Sequence, residues 1–212
     1  MQSRSRAAPL RRSIGLPAIA FKMRTQMKRL FDFIFSFLML LILLVPIILV
    51  SLSIKSTSRG PVVYWSDRVG RYNKIFKMPK FRSMRVDTPP VATHLLADPQ
   101  QFLTPLGSFL RKSSLDELPQ LWSIFKGDMS FVGPRPALFN QDDLIDLRTR
   151  NGVDQALPGL TGWAQINGRD QLPIPDKVDL DVYYINHQSF LLDLKIVFLT
   201  FLKVLRRDGV GH

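Results

Sequence analysis

Residues 33–54 carry no charge, and only three serines interrupt an otherwise apolar run whose middle reads LMLLILLVPIILV. At about 1.5 Å per helical residue, such a run just reaches across a hydrocarbon core of about 30 Å. It is too long for the apolar part of a cleaved signal peptide, and no small-residue cleavage site follows it. A core helix of a soluble protein rarely lacks polar positions over this length. Pro46 lies near its middle and removes a helix hydrogen bond. Arg24, Lys28 and Arg29 precede the run, and Lys55, Arg59, Arg68 and Arg71 follow it. Basic flanks mark the cytoplasmic side, and here both flanks are basic. A helix–break–helix that enters and leaves by one face satisfies both observations; a kinked single span is the alternative.

Elsewhere the pattern is that of a folded body. Short Val, Tyr, Trp and Phe runs around Gly70 and Asn73 predict a β-hairpin over 60–85. Residues 86–101, with Pro89 and Pro90, read as a loop. Apolar positions 115, 118, 121, 122 and 125 recur at helical spacing. The Gly- and Pro-rich stretches 127–136 and 151–176 read as irregular. Residues 188–207 are apolar with interspersed charges, which suits either an amphipathic helix at a membrane interface or a core-packing helix.

Charge sharpens this division. The 212 residues are 46% hydrophobic and carry a net charge of +12. Residues 1–85 hold 17 Lys or Arg against Asp32 and Asp67, whereas the remainder holds 12 bases and 15 acids. A basic front half suits an anionic surface. The chain thus reads as a basic tail (1–27), a re-entrant membrane helix (28–56) and a cytoplasmic domain with interfacial helices (57–212). The absence of cysteine excludes disulfides and thiolate metal sites. His94, His187 and His212 show no metal-ligand spacing.

Candidate chemistry concentrates in three segments. In Arg111-Lys-Ser-Ser-Leu-Asp116-Glu117-Leu-Pro119, adjacent carboxylates beside cations can divide labour, one attacking while the other holds a metal or moves a proton. Taken alone, Ser114-x-x-Glu117 reads more readily as a helix capping box, although Pro119 would then fall where a bonded N–H is needed. In Gly133-Pro134-Arg135-Pro136, two prolines stiffen the backbone around a guanidinium whose fork suits phosphate; a rigid turn with a solvated arginine is the plain alternative. In the segment from Pro158 to Arg169, three glycines allow close backbone approach to a ligand, with Trp163, Gln165 and Asn167 available to a base or sugar and Arg169 to a phosphate; a surface loop is the alternative. No P-loop, dinucleotide fingerprint, HExxH or GxSxG occurs.

In order, KRLFD (28–32), the proline-broken segment, RVGR (68–71), KFRSM (80–84), SLDELPQLW (114–122), DMSFVGPRP (128–136) and PGLTGWAQINGR (158–169) resemble the monotopic phosphoglycosyl transferases, or bacterial sugar transferases. The short chain is similar to the subgroup that consists of the catalytic domain alone. The resemblance implies an α+β monotopic fold with a re-entrant helix, interfacial amphipathic helices and a compact cytoplasmic domain on the bacterial inner membrane. It implies a ping-pong reaction in which Asp116 attacks the β-phosphate of a UDP-sugar, UMP leaves, and polyprenyl phosphate takes the phosphosugar. Glu117 would complete the dyad beside Mg2+, with both carboxylates near the metal. Arg111, Arg135, Arg169, Lys80 and Arg82 would grip phosphate or nucleotide. The implied partners are the UDP-sugar, the polyprenyl phosphate and membrane phospholipids, not nucleic acid; a homo-oligomer stays open. One departure is Val45-Pro46, where the family often has Ser-Pro. The competing readings are a basic membrane adaptor, which releases no UMP, and a metal-dependent lipid phosphatase, which needs no sugar nucleotide.

Overall fold

The computed structural model describes residues 18–89, 98–168 and 172–206. Two helices open it, α1 (Ala18–Ile42) and α2 (Leu44–Thr57), and they meet at Leu43 with a bend of 61°. Among the described residues no single helix is long and apolar enough to cross a membrane; this bent pair is, by length and composition. Residues 18–27, placed in the basic tail by their composition, are helical, and residues 1–17 lie outside the described part.

The bend falls one turn ahead of the proline expected to make it. Pro46 has no N–H to offer the Ile42 carbonyl, and its ring crowds that carbonyl. The ladder is intact on both sides, with Leu43 N donating to Met39 O and Ile47 N to Leu43 O, each at 2.8 Å. Pro46 therefore sits in the first turn of α2, where a missing N–H costs little, and the chain turns at the residues whose bond it deletes. No side chain caps the start of α2.

The charged turn of α1 ties this pair to the body. Lys28 Nζ pairs with Asp193 at 2.6 Å. Arg29 donates to the Ile124 and Phe125 carbonyls at 2.6 and 2.7 Å. Buried Asp32 accepts from Phe131 N at 3.2 Å. Phe33 stacks on Phe125 and Phe35 meets Phe131 edge to face.

The expected hairpin forms from β1 (Val63–Val69) and β2 (Ile75–Phe81), antiparallel with Val63 opposite Phe81. Its turn places Tyr72 and Asn73 at φ near +56° and +57°. There follow α3 (Gly107–Lys112), a 3-10 turn at Leu115–Glu117, α4 (Gln120–Lys126), β3 (Ser130–Val132), α5 (Asp142–Arg150), β4 (Gly159–Thr161), α6 (Trp163–Asn167), α7 (Ile174–His187) and α8 (Phe190–Arg206). The two stretches read as irregular thus contain β3, β4 and α6. These are elements of three to five residues, too short to show a period. Strands β3 and β4 pair in parallel, Ser130 opposite Gly159 and Val132 opposite Thr161. Of the expected loop 86–101, Pro99–Phe102 form a 3-10 turn and residues 90–97 lie outside the described part.

Met78, Leu121, Ile124 and Met129 form one core patch, onto which Met39, Leu40 and Leu43 pack from the bend. Ile54 of α2 joins Phe81 and Leu110 in another. Helix α8 buries Ile196 fully but leaves Phe190, Leu191, Phe198 and Phe201 exposed, so it is at once a packing helix and an amphipathic one. On α1, Leu30, Ile34, Leu38 and Leu41 are likewise exposed, as are Val45, Leu49 and Leu52 of α2.

Pro46→Leu restores the missing bond to Ile42. Spin labels at positions 34 and 52, both exposed, should move apart by several ångström in the variant, read by pulsed dipolar spectroscopy in nanodiscs. An unchanged distance would show that packing against α4, not the proline, sets the bend.

Candidate active site

After α3 the chain reverses at Ser114, which adopts left-handed angles (φ 57°), and Pro119 starts α4 at φ −62°. Asp116 and Glu117 lie between these two points. The capping box does not form. Ser114 makes no side-chain cap bond, and Glu117 turns instead to Lys80, whose Nζ donates to Oε1 at 2.9 Å. The physical reason is the one Pro119 announced: the α-helix begins after the proline, so the carboxylates precede it rather than occupy its first turn.

Three cations converge on the pair from separate elements. Lys80 comes from β2. Arg135, in the turn after β3, brings Nη2 to 3.7 Å from Glu117 Oε1. Arg111, from the end of α3, is held by Ser83 Oγ at 3.2 Å and Met84 Sδ at 3.5 Å, and its charge acts on Asp116. Gln120, one turn beyond Glu117 and buried, hydrogen-bonds it as well.

The two neighbours titrate apart. Burial pushes the Asp116 carboxyl up; Lys80 opposes that, Glu117 adds to it, Arg111 and Arg135 oppose it, and the balance lies at about 6. Burial also penalises the Glu117 charge, but Lys80 and then Arg135 overcome the penalty and hold it well below the usual carboxylate range. One carboxylate is thus fixed as an anion, and its partner exchanges a proton near neutrality. Such a separation is what assigns different tasks to like groups.

The position of Arg135 is itself braced. Its carbonyl accepts from Arg148 Nη1 at 2.8 Å. Arg148, on α5, is buried and grips Asp181 of α7 through Nε at 3.0 Å and Nη2 at 2.6 Å. Below this brace, the backbones of β3 and β4 touch. A Cβ on Gly159 would lie 2.1 Å from Gly133 N, and one on Gly162 2.1 Å from Gly133 O. Two of the glycines assigned to ligand approach are therefore required for backbone to meet backbone.

Not every candidate joins the cluster. Arg82 is buried and donates to the carbonyls of Ser58 and Arg59 and to Ser58 Oγ, closing the end of α2 instead of facing the dyad. Its charge is used on the orphan carbonyls that every helix end exposes. Arg169 lies outside the described residues. Trp163 stacks on Tyr183 at 5.4 Å with Lys195 over its ring, and Asn167 bonds back to the Trp163 carbonyl. The Gln165 amide is buried with no hydrogen-bond partner. Pro46 acts only at the bend. Gln120, Arg148 and Asp181 were missed by the sequence reading. Gln120 alone had a signal, three positions after Glu117 on a helical spacing.

Among the described residues no three Asp, Glu or His side chains gather. Magnesium is ordinarily held by one or two carboxylates, with water and substrate phosphates completing its shell. Asp116 and Glu117 make a donor set of that size, with Glu117 sharing Oε1 with Lys80.

The model of a family described as bacterial sugar transferase matches residues 23–207. The chain belongs to the bacterial sugar transferase family. It is a transferase, and all three motif-bearing segments lie within the matched span. It is similar to an uncharacterized sugar transferase, EpsL, of Bacillus subtilis (strain 168), 43% identical over 190 residues, covering 87% of this chain and 90% of that protein. An undecaprenyl-phosphate galactose phosphotransferase of Salmonella typhimurium is 38% identical over 203 residues, covering 86% of this chain and 41% of that one. A UDP-glucose:undecaprenyl-phosphate glucose-1-phosphate transferase of Escherichia coli (strain K12) is 40% identical over 189 residues, with coverages of 84% and 40%. The chain spans about two fifths of these two longer relatives.

Arg148→Met would leave the Asp181 carboxylate buried and unpaired, at a cost of ~3–5 kcal/mol. Replacing both, as Arg148→Met with Asp181→Leu, should recover most of that loss. Denaturation of the detergent-solubilised protein measures both. Equal destabilisation by the single and double variants would mean that packing, not the buried charge, is at stake.

Proposed function

We propose that this transferase moves a sugar 1-phosphate from a UDP-sugar to a polyprenyl phosphate and releases UMP, on the cytoplasmic face of the bacterial inner membrane. One observation carries the reading: buried Asp116 beside half-buried Glu117, two adjacent carboxylates titrating apart, with Lys80, Arg111 and Arg135 acting on them. The names of the relatives supply the substrates, since they specify undecaprenyl phosphate with galactose or glucose. A UDP-hexose is accordingly the donor class.

In the proposed reaction, a carboxylate oxygen of Asp116 attacks the β-phosphorus of the donor. The bond from that phosphorus to the bridging oxygen breaks, and UMP departs with the oxygen and its electron pair. An acyl phosphosugar then sits on Asp116. A phosphate oxygen of the polyprenyl phosphate attacks the same phosphorus, the acyl phosphate bond breaks, and Asp116 recovers its charge. The product is a polyprenyl diphosphosugar, the first lipid-linked unit of a surface glycan. Arg111 and Arg135 offer forked donors to phosphoryl oxygens that gain charge as the bonds change. Lys80 keeps Glu117 ionised and lowers the cost of ionising Asp116. Asp116 and Glu117 would hold Mg2+, which supplies charge neutralisation to the diphosphate.

The bent pair α1–α2 supports membrane attachment without crossing. Its exposed apolar side chains need cover, and a basic residue flanks it at either end. With α8 it would set the dyad at the boundary between water, where the sugar nucleotide is, and lipid, where the acceptor is.

Asp116→Asn keeps size and removes the attacking carboxylate, so the variant should fold and release no UMP. Wild-type protein given UDP-hexose and Mg2+ but no acceptor should release UMP to about one equivalent, and peptide mapping should find the phosphosugar mass on Asp116. UMP appearing only when polyprenyl phosphate is added, with no adduct, would replace the covalent route by direct transfer. An adduct on Glu117 would reverse the roles.

The pH dependence gives a second check. The attacking form is the anion, so single-turnover UMP release should rise with pH through about 6. Because burial raises this group above its unfolded value, its protonated form stabilises the fold, and that contribution is lost as pH rises through the same value. Lys80 is the foremost charge lowering Asp116, so Lys80→Met should move the limb to higher pH. A limb in both proteins at ~4, the ordinary carboxylate value, would disprove the assignment.

A further inference from the structure

At the end of α2 lies a pocket of about 330 Å3 whose polar lining is Ser58, Arg59, Arg82, Arg85, Asp87 and Thr104 and includes neither Asp116 nor Glu117. We propose that this pocket binds the phosphate of an anionic membrane lipid, apart from the donor site at Asp116 and Glu117.

Charge is the first ground. Three arginines and one aspartate are among the residues that line the pocket, and Arg85 pairs with that aspartate, Asp87, at 2.7 Å. The Arg59 guanidinium is exposed and has no hydrogen bond or ion pair among the described residues. Arg82 is 5% exposed, and its Nε is buried with no hydrogen-bond partner. That nitrogen has no surface open to the pocket, so Arg82 acts on an anion there through its charge and not through a direct bond from Nε. A helix C-terminus would ordinarily repel an anion. Here the other two nitrogens of Arg82 take the Ser58 and Arg59 carbonyls, so the adverse end of α2 is already neutralised. Arginine forks match the oxygens of a phosphate better than lysine would.

Location is the second ground. Ser58 is the residue at which α2 ends, its N–H closing on the Ile54 carbonyl at 3.0 Å. Exposed Leu49 and Leu52 belong to the same helix, one to three turns earlier. On the re-entrant reading, on which this inference rests, the pocket opens where the helix leaves the acyl chains, at headgroup depth. Ser83 bonds to both regions: its Oγ accepts from Arg111 of the dyad cluster, and its carbonyl accepts from the N–H of Thr104, which lines the pocket, at 3.0 Å. A lipid phosphate here would thus lie one residue in sequence from the group that holds Arg111.

Two lipids carry the required chemistry: an anionic phospholipid and the polyprenyl phosphate itself. The test uses the full chain in detergent, titrated with dioleoyl-phosphatidylglycerol, undecaprenyl phosphate or inorganic phosphate, and read by native mass spectrometry. Arg59→Gln and Arg85→Gln change exposed side chains and should each weaken lipid binding by about tenfold, while Asp116→Asn should leave it unchanged. Tighter undecaprenyl phosphate would make the pocket an acceptor subsite, and tighter phosphatidylglycerol a structural lipid site; both uphold a lipid phosphate. Lipid binding equal in wild type and in the Arg59→Gln, Arg85→Gln double variant overturns the proposal, as does retention of inorganic phosphate with neither lipid. Flotation with neutral phosphatidylcholine vesicles separates the anchor from the pocket. A chain that floats but shows no Arg59-dependent lipid binding rejects the pocket alone, and one that does not float rejects both.

Discussion

Two neighbouring carboxylates taken out of water cannot both keep their charge unless cations are brought to them. Much of the body can be understood as the means of bringing them. Lys80 arrives on a hairpin strand, Arg111 on a short helix, and Arg135 on a turn between two prolines. No local sequence supplies all three. The two arginines are then held by something behind them: Arg111 by Ser83 and Met84, and Arg135 through its carbonyl by Arg148, which Asp181 fixes in turn. The charge of Asp116 is therefore adjustable by residues spread over more than a hundred positions of chain, while Glu117 stays ionised. In the proposed reaction, that asymmetry would let one member of the pair act on phosphorus while the other provides a constant field.

The hairpin, the broken apolar segment and the terminal amphipathic helix were legible because each has a strong period or a long run. Asp116, Glu117 and the three cations that reach them, Lys80, Arg111 and Arg135, were singled out by the ordered motifs and the resemblance these carry; the spacing of the carboxylates alone favoured a helix cap. Arg82 misled for the same reason. It sits in one short motif with Lys80, and nothing in the spacing says that one side chain faces the dyad while the other closes a helix end. The pairing of β3 with β4 was hidden by brevity, since a three-residue strand has no period to show. Arg148 and Asp181 were hidden by distance, being ordinary helix residues 33 positions apart whose meeting depends on how α5 and α7 pack.

The bend between α1 and α2 shows how a local covalent fact becomes a global shape. Pro46 deletes one hydrogen bond and the chain turns at Leu43, one turn before it. Core packing then fixes the result, since Met39, Leu40 and Leu43 seat against Met78 and Leu121 while the outer faces stay apolar and bare. Lys28, Arg29 and Asp32 hold α1 to three different elements, so the angle of the pair relative to the dyad is set from the body side.

The contact of Gly133 with Gly159 and Gly162 involves main chain alone. A joint between side chains can drift, because one substitution loosens it and another tightens it again. Here even a methyl group demands that backbone move, so no series of small, individually tolerable changes leads from this joint to a slightly different one. The spacing between the arginine-bearing turn and the segment that follows β4 is therefore inherited as a unit. Diversification of such a protein is channelled away from this junction, toward the exposed surfaces and loops that can vary one residue at a time.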